Sequence, residues 1–176
     1  MSKINLFRFF VIAFASIFVW SCSDQSVDHS VIGQLKIKSI SQPETNIFTS
    51  GQPTKDEFNS LAELGVKHVI NLRPASEIDW DEAGHVESLG MKYYSIPVAG
   101  AAGITLENAT LLKNTLNTIG DAPILVHCSS SNRVGALIAL AAGAKDGADA
   151  EAAINEGKRW GLTDLESVVR DLLSGS

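Results

Sequence analysis

Ile124-Leu125-Val126-His127-Cys128-Ser129-Ser130-Ser131-Asn132-Arg133-Val134-Gly135 is the stretch on which the fold turns. Three consecutive apolar residues lead into His-Cys, four small polar residues follow, and an arginine opens an alanine-rich run over 134–145. A short apolar run bounded by polar residues reads as a buried strand, and the alanine-rich run as a helix. A strand passing through a tight loop into a helix is the repeating step of an α/β layer fold. Loop amides and the helix start collect partial positive charge, and a guanidinium beside them can take two oxygens of phosphate or sulfate at once. The same field favours the thiolate of Cys128, and a thiolate in line with a bound phosphate can attack phosphorus to give a cysteinyl-phosphate. The plainer alternative is an inert cysteine at a strand end. Against it, Ser129, Ser130, Ser131 and Asn132 before Arg133 make a poor core and a good anion cradle. His127 is expected to orient the loop.

Outward from this stretch, strands and helices alternate. Residues 35–40 alternate in polarity and 46–49 form a second short β pattern, with a turn expected at Pro43. Thr54 and Glu57 have capping-box spacing, Phe58, Leu61 and Leu64 make an apolar stripe, and Gly65 is placed to end that helix. Strands are expected at 66–72 and 92–96, with a helix at 80–89 between them. Thr105 can cap a helix that buries Ala109, Leu112 and Leu116, and further helices are expected at 149–159 and 164–173. This order predicts a mainly parallel central sheet flanked by helices, with ligands gathering beyond the carboxyl ends of the strands.

The chain has 176 residues, 45% of them hydrophobic, which is enough for one domain with a real core. Its net charge of −6 opposes the cationic surface that nucleic acid requires. Two cysteines exclude a disulfide framework and a four-thiolate zinc site, and His29, His68 and His85 lack metal-ligand spacing, so no metal or cofactor is expected. Lys3 and Arg8 lead into an apolar run too short for a typical membrane-spanning helix, which reads as a signal peptide over residues 1–21. Val19-Trp20-Ser21-Cys22 resembles the lipobox of bacterial lipoproteins, although Trp20 is bulkier than usual. That resemblance implies a lipid on Cys22 and a periplasm-facing, membrane-held protein, with Ser23 favouring the outer membrane. Simple cleavage to a periplasmic or secreted form is the rival. Residues 22–34 read as a tether and 35–176 as the folded domain.

His-Cys, a short loop and Arg-x-Gly resemble the phosphate loop of cysteine-dependent tyrosine and dual-specificity phosphatases. Thr49-Ser50-Gly51-Gln52-Pro53, Val69-Ile70-Asn71-Leu72-Arg73, Ile96-Pro97-Val98 and Gly161-Leu162-Thr163-Asp164-Leu165-Glu166 are in addition similar to the beta-lactamase-hydrolase-like, phosphatase-like branch of that superfamily. The resemblance implies a phosphotyrosine-phosphatase-like sandwich, Cys128 as nucleophile and Arg133 as phosphate-binding arginine. His127, Ser129, Ser130, Ser131 and Asn132 would complete the loop. It implies hydrolysis of a phosphomonoester on a small molecule or a phosphoprotein.

Three features depart from that pattern. Four residues, not five, separate Cys128 from Arg133; a serine stands where a loop glycine is usual; and Val134 replaces the hydroxyl residue that commonly follows the arginine. In addition, the 97–103 loop, where a general-acid aspartate would be expected, holds no carboxylate. Asp79, Asp81, Glu82 and Glu107 are the displaced candidates. Arg73 either faces the pocket or pairs with Glu77, and Trp80 is expected to pack its helix. The rival functions are a rhodanese-like sulfurtransferase, which the four-residue loop suits, and a catalytically weak phosphate- or sulfate-binding module.

Overall fold

Strands and helices alternate along the chain in the computed structural model, which describes residues 35–145 and 147–175. The expected leader, tether and Cys22 lie outside these residues. The elements are β1 (Ser41–Glu44), β2 (Ile47–Ser50), α1 (Lys55–Glu63), β3 (His68–Asn71), α2 (Glu82–Ser88), β4 (Lys92–Ser95), α3 (Leu106–Ile119), β5 (Ile124–His127), α4 (Asn132–Gly143), α5 (Ala150–Arg159) and α6 (Glu166–Ser174). The sheet order is β1-β2-β5-β3-β4; β1 runs antiparallel to β2 and all other pairs are parallel. The α/β fold with a mainly parallel sheet is thus as the sequence predicts.

The pleat sorts β5 between two cores. Ile124 and Val126 pack with Leu112, Leu137 and Ile154 of α3, α4 and α5, while Leu125 packs with Phe48, Phe58, Leu61 and Val86 toward α1 and α2. A strand buried on both faces reads as a continuous apolar run, which is why Ile124-Leu125-Val126 shows no alternation. Register aligns Ser50, His127, Asn71 and Ser95 in one row at the carboxyl ends of the parallel strands. That polar row is the floor of the site.

Local signals act as expected at α1, where Glu57 N–H donates to Thr54 Oγ1 (3.3 Å) and the Thr54 N–H to Glu57 Oε2 (2.6 Å). Thr105 likewise caps α3, accepting from Asn108 N–H. The first strand is a correction. Residues 35–40 form no strand; they make a loop with Ser39 at φ +54°, and the strand is 41–44, which contains Pro43. The alternation arose because Ile37 anchors that loop in the core, and Pro43 is tolerated because β1 is a sheet edge. The turn falls at Thr45 and Asn46 instead. A smaller shift matters more for chemistry: α4 begins at Asn132, which puts Arg133 in its first turn.

Close packing fixes α4 from behind. A Cβ on Gly135 would lie 2.1 Å from Leu162 N and 2.5 Å from Gly157 O, so only glycine lets this turn approach α5 and the segment after it. Asn132 Oδ1 accepts from Thr163 N–H (2.9 Å) and Leu165 N–H (3.3 Å), tying the helix start to the same segment.

Candidate active site

The loop from Cys128 to Ser131 joins the central strand to α4 and lies at the carboxyl edge of the sheet. Cys128 is buried, its N–H donating to Ser50 O at 3.3 Å. Ser131, the residue before α4, takes φ +66°, so the position where a loop glycine was missed is indeed left-handed. The first turn bond of α4 runs from Gly135 N–H to Ser131 O, leaving the Asn132, Arg133 and Val134 amides without partners inside the helix. Gly51 backs the loop; a Cβ there would lie 2.9 Å from Ser129 O.

Arg133 reaches from α4 over the loop. Nη1 donates to Glu77 Oε1 (3.0 Å) and Val98 O (2.7 Å), and Nη2 to Glu77 Oε2 (2.7 Å) and Ser129 Oγ (2.7 Å). Burial opposes the guanidinium charge, but the Glu77 bond and the facing Cys128 sulfur outweigh it and raise the Arg133 pKa. On the other side, the Arg133 bond holds the Glu77 carboxyl below the ordinary carboxylate value, against a smaller opposing effect of burial. Ser129 Oγ also reaches Glu77 Oε2 at 3.2 Å.

Beneath the loop lies a second carboxylate, fully enclosed. Glu82, 2% exposed, accepts at Oε1 from Asn71 Nδ2 (2.7 Å) and Tyr93 OH (3.0 Å), and at Oε2 from Gln52 Nε2. His127 Nε2 is 3.1 Å from Glu82 Oε1, though too oblique for a hydrogen bond, and its ring centroid lies 5.8 Å from that of Phe58 in a T-shaped arrangement. Burial pushes the Glu82 carboxyl up; the facing His127 and the Gln52 and Tyr93 donors outweigh it, and the net direction is down. Tyr93 is raised, first by burial and also by Glu82. Gln52 passes the network on by accepting from Arg73 Nη1; Arg73 Nη2 donates to Glu77 O, and Nε is 3.5 Å from Glu77 Oε2. One polar chain therefore runs from His127 through Glu82, Gln52 and Arg73 to Glu77 and Arg133.

The structure brings Cys128, Ser129, Arg133 and Arg73 into this cluster. Arg73 both lies by the site and pairs with Glu77, joining two expectations that the sequence posed as alternatives. Ser130 forms an isolated bridge with Gly51, and Asn132 serves the 163–165 backbone, so the side chain of Asn132 acts as a brace. Asp79 and Asp81 do not join the site: Asp81 caps α2 through Gly84 N–H (2.9 Å), and Asp79 lines an open pocket with Pro53, Thr54, Lys55 and Trp80. Among the described residues, no hydrogen bond or ion pair links either to the cysteine loop. Trp80 packs near Phe58 and His85, with Lys55 Nζ 5.1 Å from its ring centroid. The residue that sequence reasoning passed over is Glu77. Its only signal was a spacing of four from Arg73, which suggested a surface pair; its main partner, Arg133, is 56 positions away.

The sequence model of the tyrosine phosphatase family matches residues 18–141. A beta-lactamase hydrolase-like protein of Xylella fastidiosa (strain Temecula1) is 32% identical over 111 residues, covering 60% of this chain and 25% of that protein. The chain thus spans about a quarter of the length of that curated relative. Among solved structures, a candidate phosphatase (DUF442) of Shewanella putrefaciens CN-32 superposes with a TM-score of 0.63 at 22% identity, over 82% of this chain and 97% of that one. The catalytic core of the PP-IP phosphatase SIW14 from S. cerevisiae, in complex with citrate, gives 0.62 at 19% identity, over 78% and 85%. At these identities the structural likeness is one of fold.

Proposed function

The chain belongs to the tyrosine phosphatase family, and on that premise we propose that it hydrolyses phosphomonoesters through a thiolate nucleophile, Cys128, and a phosphate-binding arginine, Arg133. One observation carries the reading: Arg133 stands in the first turn of α4, five residues after Cys128, with its guanidinium bonded to Ser129 Oγ of the cysteine loop at 2.7 Å. The ester phosphate would lie over the loop, with the Asn132 and Arg133 amides and the Arg133 guanidinium holding its oxygens. Sγ would attack phosphorus, the alcohol would leave, and water would then release phosphate from the cysteinyl-phosphate. His127, locked beneath by Phe58 and Glu82, would set the direction of the cysteine.

The test is a generic aryl phosphate offered to the folded domain. Cys128→Ser should abolish turnover yet keep phosphate or tungstate binding, whereas Arg133→Ala should lose both; turnover by Cys128→Ser equal to wild type sinks the mechanism. The four-residue loop favours a second reading, a rhodanese-like sulfurtransferase holding a persulfide on Cys128. Sulfur transfer from thiosulfate to cyanide without any phosphate hydrolysis would decide for it.

We also propose that residues 1–21 are removed and that Cys22 carries a lipid holding the domain on the periplasmic side of a membrane. Mass spectrometry of the membrane fraction tests this; an unmodified Cys22 on a soluble product would overturn the anchor.

A further inference from the structure

Among the described residues, Glu77 is the carboxylate hydrogen-bonded into the cysteine loop, through Arg133 and Ser129. All four Nη hydrogens of Arg133 are committed: two to Glu77, one to Val98 O and one to Ser129 Oγ. An arriving phosphate thus finds the Nη1–Nη2 edge of the guanidinium already filled by a carboxylate of similar bite. Glu77 is the replaceable partner, because Val98 offers a main-chain carbonyl on a buried residue, whereas Glu77 ends a three-residue 3-10 turn (Ala75–Glu77) with a side chain 32% exposed. Once displaced, it stays beside the site, tethered through Arg73, whose Nε is 3.5 Å from Oε2.

The groups facing Glu77 are Arg133 from α4, Arg73 from the end of β3, Ser129 from the loop and, behind Arg133, Cys128. Displacement removes the strongest of these favourable partners and substitutes a phosphate anion. Both changes favour the protonated carboxyl. The proton can arrive with the substrate, since a phosphomonoester monoanion carries one.

Resting on the phosphatase reading above, we propose that Glu77 is the general acid of this enzyme, seated on Arg133 at rest and released by the substrate's own phosphate to protonate the leaving oxygen. In the first step the Sγ–P bond forms, the P–O ester bond breaks, and the departing oxygen takes the Glu77 proton to leave as an alcohol. In the second, the Glu77 carboxylate takes a proton from water as that water's oxygen bonds to phosphorus and the S–P bond breaks, returning the thiolate; the carboxyl then passes its proton to the departing phosphate and reseats on Arg133 as carboxylate. The 97–103 loop supplies no carboxylate for this role, Asp81 is spent on capping α2, and Glu82 is enclosed in its own network.

The experiment compares wild type, Glu77→Gln and Glu77→Ala on two esters, an aryl phosphate with a good leaving group and an alkyl phosphate with a poor one. Inorganic phosphate is the competitor. A lost proton donor should cost about 10²–10⁴-fold on the alkyl ester and leave the aryl ester near wild type. Phosphate should inhibit Glu77→Ala at lower concentration, because the fork is vacant, and the basic limb of the alkyl-ester pH profile should vanish in Glu77→Gln. Equal losses on both esters would overturn the proposal and make Glu77 a positioning residue for Arg133; weaker phosphate inhibition in Glu77→Ala would do the same. Those outcomes leave the phosphatase reading standing, provided wild type turns over the aryl ester and Cys128→Ser does not. If wild type hydrolyses neither ester, both readings fall together.

Discussion

Glu77 and Glu82 are five residues apart, Glu77 in the connection between β3 and α2 and Glu82 at the first position of α2, yet they sit in opposite regimes. Glu82 lies under the cysteine loop, almost wholly enclosed, with Asn71, Tyr93 and Gln52 donating to it and His127 facing it. Glu77 lies at the mouth, a third of its side chain exposed, with Arg133 as its principal partner. A buried carboxylate that accepts three hydrogen bonds is structural, since losing it strands its donors. A half-open carboxylate on one guanidinium is exchangeable, since water or another anion can take its place. The loop is thus rigid underneath and replaceable above, which an anion site needs if it is to be preformed and still open.

The largest expected effect breaks the lower region. Glu82→Ala takes the acceptor from the buried Asn71 amide and the half-buried Tyr93 hydroxyl and should cost about 3–5 kcal/mol of stability, read from urea unfolding. A cost below about 1 kcal/mol would mean that the network is wetter than its geometry implies.

Acid titration probes what the two carboxylates share. Both carboxyls are held below the ordinary value of 4.5 in the folded state, Glu82 against the opposing push of its burial and Glu77 chiefly by Arg133. The unfolded chain therefore binds more protons in acid, so this stability is complete above about 4.5 and is lost as pH falls through the depressed values. Thermal unfolding followed from pH 6 downward should show a shallower acid decline than wild type in both Glu82→Gln and Glu77→Gln. A slope unchanged by either substitution would show that its carboxyl gains nothing from its folded partners.

Next in size, Glu77→Ala should cost less than about 1 kcal/mol by the same unfolding measurement, because a partly exposed ion pair is screened. A cost equal to that of Glu82→Ala would make the mouth as structural as the floor. Smallest is Ser131→Gly. The left-handed φ of Ser131 is worth about 1–2 kcal/mol of strain, and glycine gives back about 0.5–1 kcal/mol through chain entropy. A net gain of about 0.5–1 kcal/mol in unfolding free energy is expected; a loss would show that the buried Ser131 side chain contributes packing beyond that strain.

Much of this was legible without coordinates, because it depends on neighbours in sequence. The Thr54–Glu57 box, the Thr105 cap, the doubly buried 124–126 strand and the Cys128–Arg133 loop are local patterns whose partners lie within a few residues. The same logic failed at 35–40, where one buried side chain, Ile37, mimicked a strand's alternation, and an edge position let Pro43 into β1. Composition and order of elements therefore determined the α/β architecture and pointed to a thiol and a guanidinium at one strand end. Which carboxylate answers that guanidinium was decided only by tertiary structure. Glu77 meets Arg133 across 56 positions, Arg73 meets Gln52 across 21, and Ser50, His127 and Asn71 share a row only because three parallel strands are in register. Sequence fixes what each side chain can do within one turn or one strand; long-range charge pairing is set by packing, which alone distinguishes an exposed acid from an enclosed one five residues on.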